Sequence, residues 1–187
     1  MDLITIILIA VGLSMDAVAV SVCLGGTSAK INFQRALTVA LWFGTFQAIM
    51  PIIGWGVGAT LKDLIANIDH WVVFLILSLI GIRMIYESFY GKSKVVSADP
   101  FNLGVLALLS LATSIDALAV GISFAFINIP IINPIIIIGI VTFMLSLIGA
   151  YIGKRIGLLF AKRIEVIGGL ILIAIGAKIL IEHLGLI

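Results

Sequence analysis

Cysteine, histidine and charge are all scarce in this chain. It has one cysteine, Cys23, so no intrachain disulfide can form, and a lone cysteine is no zinc site. Charged residues are 11% of the total, against about 25% in a soluble domain. The formal net charge of +2 is too small to argue for nucleic acid, and the bases sit in short connections rather than along one face of a soluble helix. The N-terminus lacks a basic leader region, and its apolar run continues into more helix. It is expected to be a retained first span and not a cleaved signal peptide. No connection is long enough to separate two soluble domains.

What the chain does have is apolar surface. It is 63% hydrophobic, with a mean hydropathy of +1.35. Soluble domains are roughly 45–50% apolar, and a core this small cannot hide the surplus. Lipid must cover much of it. A helix needs about 20 apolar residues to cross the hydrocarbon. Six stretches meet this: Leu3–Leu24, Ala36–Leu61, His70–Tyr90, Phe101–Ile127, Ile131–Gly153 and Ile164–Leu184. The punctuation falls between them, as Gly25-Gly26, Gly91, Pro130 and Asn133-Pro134. The expected fold is an all-α membrane protein with six transmembrane helices.

Lysine and arginine orient the spans. Lys30, Arg35, Arg83, Lys92, Lys94, Lys154, Arg155, Lys162 and Arg163 belong to the first, third and fifth connections or the span ends beside them. Only Lys62 lies on the opposite side, and Lys178 falls within the sixth span. By the positive-inside rule the odd connections are cytoplasmic and both termini lie outside the cytoplasm.

The chain repeats itself. Ser14-Met15-Asp16-Ala17-Val18-Ala19-Val20-Ser21 returns as Ser114-Ile115-Asp116-Ala117-Leu118-Ala119-Val120-Gly121, an offset of 100. Gly81-Ile82-Arg83-Met84-Ile85-Tyr86-Glu87 returns as Gly176-Ala177-Lys178-Ile179-Leu180-Ile181-Glu182, an offset of 95. A weaker echo sets Thr45-Phe46 against Thr142-Phe143. Apolar segments match easily, so the shared Ser-x-Asp carries the most weight. The expected organisation is a first three-helix repeat over residues 1–95 and a second over 96–187, together one transmembrane domain. Three is odd, so the second copy would enter from the other side. Secondary transporters with such inverted repeats bind substrate at the midplane.

Asp16 and Asp116 each fall about 20 Å into their spans at 1.5 Å per residue. A charge there costs at least ~2.5–3.5 kcal/mol, so neither acid should face lipid. They are read as paired oxygen ligands or proton carriers. The bland alternative is a protonated carboxyl bonded to a neighbouring helix. Gly12 and Ala112, one turn earlier, would let backbones approach. Thr113 lies on the face of Asp116. Ser14 and Ser114 point elsewhere in a regular helix and reach a shared site only if the helix unwinds; otherwise they bond back to their own carbonyls. Gln47 is the most polar group inside the second span, and Pro51 frees a backbone carbonyl at its level. By the Thr-Phe echo the partner of Gln47 is Met144, with Ser146 the nearest polar residue, which makes the second half poorer in ligands. Arg83 with Glu87 and Lys178 with Glu182 are spaced as ordinary helix ion pairs. Trp42, Trp55 and Trp71 suit interface anchors.

Two carboxylates with amide and hydroxyl oxygens suit magnesium, calcium or manganese; zinc or copper would call for more histidine or cysteine. Two ionised acids nearly neutralise a divalent ion, and two protons returning on them would balance the cycle. Each uncompensated charge costs about 2.3 kcal/mol per 100 mV of membrane potential.

These residues also resemble the bacterial manganese efflux pump family, within the lysine-exporter-like transporter superfamily. The likeness is carried by the two Ser-x-Asp segments, Phe43-Gly44, Pro51-Ile52-Ile53-Gly54-Trp55-Gly56, the Gly81–Glu87 segment and Gly168-Gly169-Leu170. It implies six spans, a bacterial inner-membrane location and export of Mn(II), as transported substrate and not cofactor. It places the family's intramembrane acids on Asp16 and Asp116. Some members carry Glu where this chain has Gln47. Other readings are an intramembrane aspartyl protease, whose Gly-x-Gly-Asp signature is missing at both acids, an exporter of amino acids or another small solute, and a passive cation channel. The expected metal ligands are Asp16, Asp116, Gln47, Thr113, Ser14 and Ser114.

Overall fold

The computed structural model describes residues 2–27, 32–65, 69–90, 101–156, 166, 170 and 173–181. Every regular element among them is helical: α1 (Leu3–Thr27), α2 (Phe33–Ile65), α3 (Asp69–Tyr90), α4 (Leu103–Thr113), α5 (Ile115–Phe126), α6 (Ile132–Ile156) and α7 over 173–181. Leu3–Gly26, Phe33–Leu61 and Ile132–Gly153 are each long and apolar enough to cross a membrane, and α4 with α5 makes a fourth such unit bent by 41°. α3 falls on the expected third span. The expected sixth span is described only in part.

Helix ends follow local chemistry. Asn32 accepts from the Arg35 N–H (2.9 Å) before α2, and Asn102 from the Gly104 N–H (2.9 Å) before α4, each satisfying an orphan donor of the first turn. α5 ends with the Ile129 N–H on the Phe124 carbonyl (2.9 Å) and the Asn128 N–H on Ala125 (3.2 Å). Asn128 itself has φ 57, the left-handed geometry that asparagine tolerates at such a stop. Pro130 follows, and the Trp55 indole N–H donates to the Ile129 carbonyl (3.2 Å), tying α2 to this corner.

Large apolar side chains such as Ile9, Leu13, Phe43 and Phe124 fill the interior, but others cover much of the outside. On α6 the large residues Ile132, Ile136, Ile140, Met144 and Ile148 face outward, while Thr142, Ser146 and Ala150 are fully buried. Without a hydrophobic drive between helices in lipid, small residues let backbones close and polar ones turn inward. The same logic sets the helix register. A methyl group at Gly149 would meet the Val18 carbonyl oxygen at 3.2 Å, and one at Gly153 the Val22 oxygen at 2.1 Å, so α1 and α6 run parallel. One at Gly54 would meet the Leu118 oxygen at 1.9 Å, and one at Gly58 the Ile122 oxygen at 2.8 Å, so α2 and α5 also run parallel. Gly44 lies against Gly139 and Phe143, and Gly139 against Ala48, so α2 and α6 are antiparallel. α7 reaches α3 at Gly176, whose added methyl would lie 3.1 Å from the Leu77 Cβ.

Two expectations need correction. The fourth span is not one straight helix; it breaks at Ser114, which has φ −106 and ψ 7. Ala112 is exposed and makes no close crossing. The ion-pair expectation for Arg83–Glu87 and Lys178–Glu182 falls on acids whose side chains lie outside the described residues. Lys178 reaches α1, with its Nζ 3.2 Å from the Thr5 hydroxyl and 3.8 Å from Asp2. Thr5 donates to Asp2, and this bond, with the lysine charge adding to it, holds the Asp2 carboxyl below its ordinary range.

Candidate functional site

Gln47 is the best-defined polar group within the spans. It is 1% exposed, and its Nε2 donates to the Leu13 carbonyl of α1 (2.9 Å), one turn before Asp16. Its Oε1 is buried with no hydrogen-bond partner. Leaving such an acceptor unmet costs about 1–3 kcal/mol. Pro51 has no N–H to offer the Gln47 carbonyl, so both oxygens of this residue lack the partner a regular helix or amide network would supply.

Asp116 is 3% exposed and sits in the first turn of α5, where a helix N-terminus presents its backbone N–H groups and the positive end of its dipole to a carboxylate. Asp16 is half-buried in mid-α1, where the helix is unbroken. The difference comes from neighbours. Thr113 (3.2 Å) and Ser114 (2.7 Å) both donate hydroxyls to the Ser110 carbonyl, and Ser114 also approaches the Leu111 carbonyl at 3.2 Å. Such back-bonding bends helices. The corresponding residues of α1 are Ala10, Leu13 and Ser14, and only Ser14 has a hydroxyl, which donates to Val11 (2.8 Å). Ser14 and Ser114 are both fully buried; their protons serve their own helices, and only lone pairs remain for a ligand. Thr113 is buried at the end of α4.

Helix register relates these groups. Gly54 on Leu118 sets Gln47 level with Leu111, and Pro51 against Gly121 sets it level with Ala117, so it stands between them, along the stretch that holds Ser114 and Asp116. Gln47 thus stands at the height of both acids, bonded to the helix of one and packed along the helix of the other. Among the described residues no three of His, Cys, Asp and Glu cluster as metal ligands, so any cation site there depends on neutral oxygens beside the acids.

Sequence reasoning missed Thr142. The Thr-Phe echo paired Gln47 with Met144, which is 53% exposed. The contacts give another register: Gly54 on Leu118 corresponds to Gly149 on Val18, and Gly58 on Ile122 to Gly153 on Val22, an offset of 95 for α2 and α6 and 100 for the acid-bearing helices. That register pairs Gln47 with Thr142 and Pro51 with Ser146. Both α6 hydroxyls are fully buried and without a hydrogen-bond partner. The signal was present in the offset of 95 between Gly81 and Gly176.

Comparison with known proteins decides the family. A family model described as "Putative manganese efflux pump" matches residues 30–180. The chain belongs to this family. It is 48% identical to the "Putative manganese efflux pump MntP" of Clostridium botulinum (strain Loch Maree / Type A3), over 98% of this chain and 96% of that protein. It is 50% identical to the protein of the same name from Methanosarcina barkeri (strain Fusaro / DSM 804), over 98% of each. With that of Acetivibrio thermocellus it shares 47% over 100% of this chain and 94% of the relative. No solved structure matches. Family and apolar helices together make this a multi-pass membrane protein of a transporter family.

Proposed function

We propose that this chain exports divalent manganese from the cytoplasm in exchange for protons, at a mid-membrane site that includes Asp16, Asp116 and Gln47. The ion comes from what the relatives are called. The site rests on one observation above the others: the Gln47 carbonyl oxygen is buried without a partner at the height of both acids. Manganese prefers such hard oxygen ligands. Thr113, Ser14 and Ser114 belong to the same reading as sources of lone pairs. The protein is a carrier and not an enzyme, with both termini outside the cytoplasm.

The same reading has six spans in two inverted halves, 1–95 and 96–187. Its support is the paired contacts. Two close approaches of α2 to α5, at Gly54 and Gly58, have counterparts of α6 to α1 at Gly149 and Gly153, and Gly44 and Gly139, 95 positions apart, meet each other, as residues beside a twofold axis would.

The test is Mn(II) uptake into inside-out membrane vesicles. Wild type should accumulate the ion, faster with an acidic lumen, and Asp16→Asn and Asp116→Asn should each abolish uptake. Normal uptake by both variants would sink the site, and indifference to the pH gradient would remove the exchange.

A further inference from the structure

We propose that Thr142 and Ser146 of α6 are oxygen ligands of the transported cation on the Asp16 side of the site. The proposal rests on the export reading above and adds to it residues that the repeat pattern in the sequence did not select.

Both hydroxyl oxygens are fully buried and have no hydrogen-bond partner. Two unmet hydroxyls, four residues apart on one helix, lie on one face. That face meets α1 further along the helix. The α6 residues that touch α1, Gly149 and Gly153, continue the Thr142 and Ser146 stripe by a further one and two turns. Carrying the parallel register back from Gly149 against Val18 and Ser21 brings Thr142 and Ser146 to the levels just before and just after Asp16.

The other half repeats this arrangement. Gln47 and Pro51 occupy the matching places on α2, beside α5 and its Asp116. There the neutral oxygens are an amide Oε1 and a carbonyl that Pro51 leaves without its helical N–H. Here they are two hydroxyls. Each acid therefore has two neutral oxygens from a helix of the opposite repeat, and the set contains no nitrogen or sulfur donor, which suits a hard divalent cation. A threonine side chain is shorter than glutamine and does not reach a neighbouring carbonyl as Gln47 reaches Leu13, which leaves its oxygen available.

The experiment compares wild type, Thr142→Val, Ser146→Ala, the double variant and Thr142→Ser. Mn(II) binding is read by electron paramagnetic resonance on protein in lipid nanodiscs, and uptake in inside-out vesicles. The double variant should weaken binding and raise the half-saturating Mn(II) concentration by at least roughly tenfold. Thr142→Ser should recover most of what Thr142→Val loses. The melting temperature should hold or rise, because unmet buried hydroxyls are removed. Wild-type binding in the double variant overturns the proposal. So does a loss that Thr142→Ser shares equally and that follows the melting temperature, since that marks a packing role. Wild-type protein that binds Mn(II) through these hydroxyls yet moves none would defeat the export reading and leave the ligand assignment standing.

Discussion

Gly54→Ala isolates the contact that holds α2 on α5. The added methyl would sit 1.9 Å from the Leu118 carbonyl oxygen, 2.8 Å from its carbon and 3.1 Å from the Ile122 nitrogen. All three are backbone atoms, so no side chain can swing aside. Ordinary contact begins near 3.4 Å, so the helices must part by roughly 1.5 Å. Overpacking of this kind costs about 1–3 kcal/mol, occasionally more. The functional effect should exceed the stability effect. Leu118 lies half a turn from Asp116, so the carboxylate moves with α5 away from Gln47. Metal ligands tolerate shifts of only about 0.2 Å. Gly56→Ala is the control, because no atom lies within 4 Å of its added methyl. Mn(II) uptake in inside-out vesicles and melting of the purified protein in lipid should show Gly54→Ala inactive and less stable, with Gly56→Ala near wild type. A Gly54→Ala protein that melts and transports like wild type would refute the packing argument.

Other consequences are open to similar tests. Gln47→Leu removes both the bond to Leu13 and the unmet oxygen, so stability should change by less than about 1 kcal/mol while uptake falls at least roughly tenfold; unchanged uptake would exclude Gln47 as a ligand. Thr113→Val with Ser114→Ala removes both hydroxyl bonds to the Ser110 carbonyl. Spin labels flanking Ser114 should then report a straighter span than the 41° bend; an unchanged distance would show that back-bonding is not the cause. Gly58→Ala, whose methyl would meet the Ile122 oxygen at 2.8 Å, and its counterpart Gly153→Ala, whose methyl would meet the Val22 oxygen at 2.1 Å, should both lose uptake, and normal uptake by only one of them would break the symmetry argument.

The apolar spans were readable because lipid demands long hydrophobic runs: α1, α2 and α6 are long and apolar enough to cross where composition placed them, and the helix α3 covers the third expected stretch. The two acids were readable because charge is rare in such runs. The break at Ser114 was not. It depends on the Thr113 and Ser114 hydroxyls bonding back to the Ser110 carbonyl, and a hydropathy profile registers such residues only as mildly polar. Thr142 was hidden for a different reason. A chance Thr-Phe match at an offset of 97 outweighed the offset of 95 already visible at Gly81 and Gly176, since apolar helices align nearly as well at any shift. Glycines pressed on carbonyls carry no side-chain pattern of their own, and only their contacts gave the register.

In the proposed function Asp16 and Asp116, brought from separate helices, hold one ion between them. Mn(II) titration of the protein in nanodiscs, read by electron paramagnetic resonance, tests it most directly. Wild type should bind one ion per chain, and neither Asp16→Asn nor Asp116→Asn should bind any at the same concentrations. Two independent ions in wild type, or one retained in either variant, would contradict it.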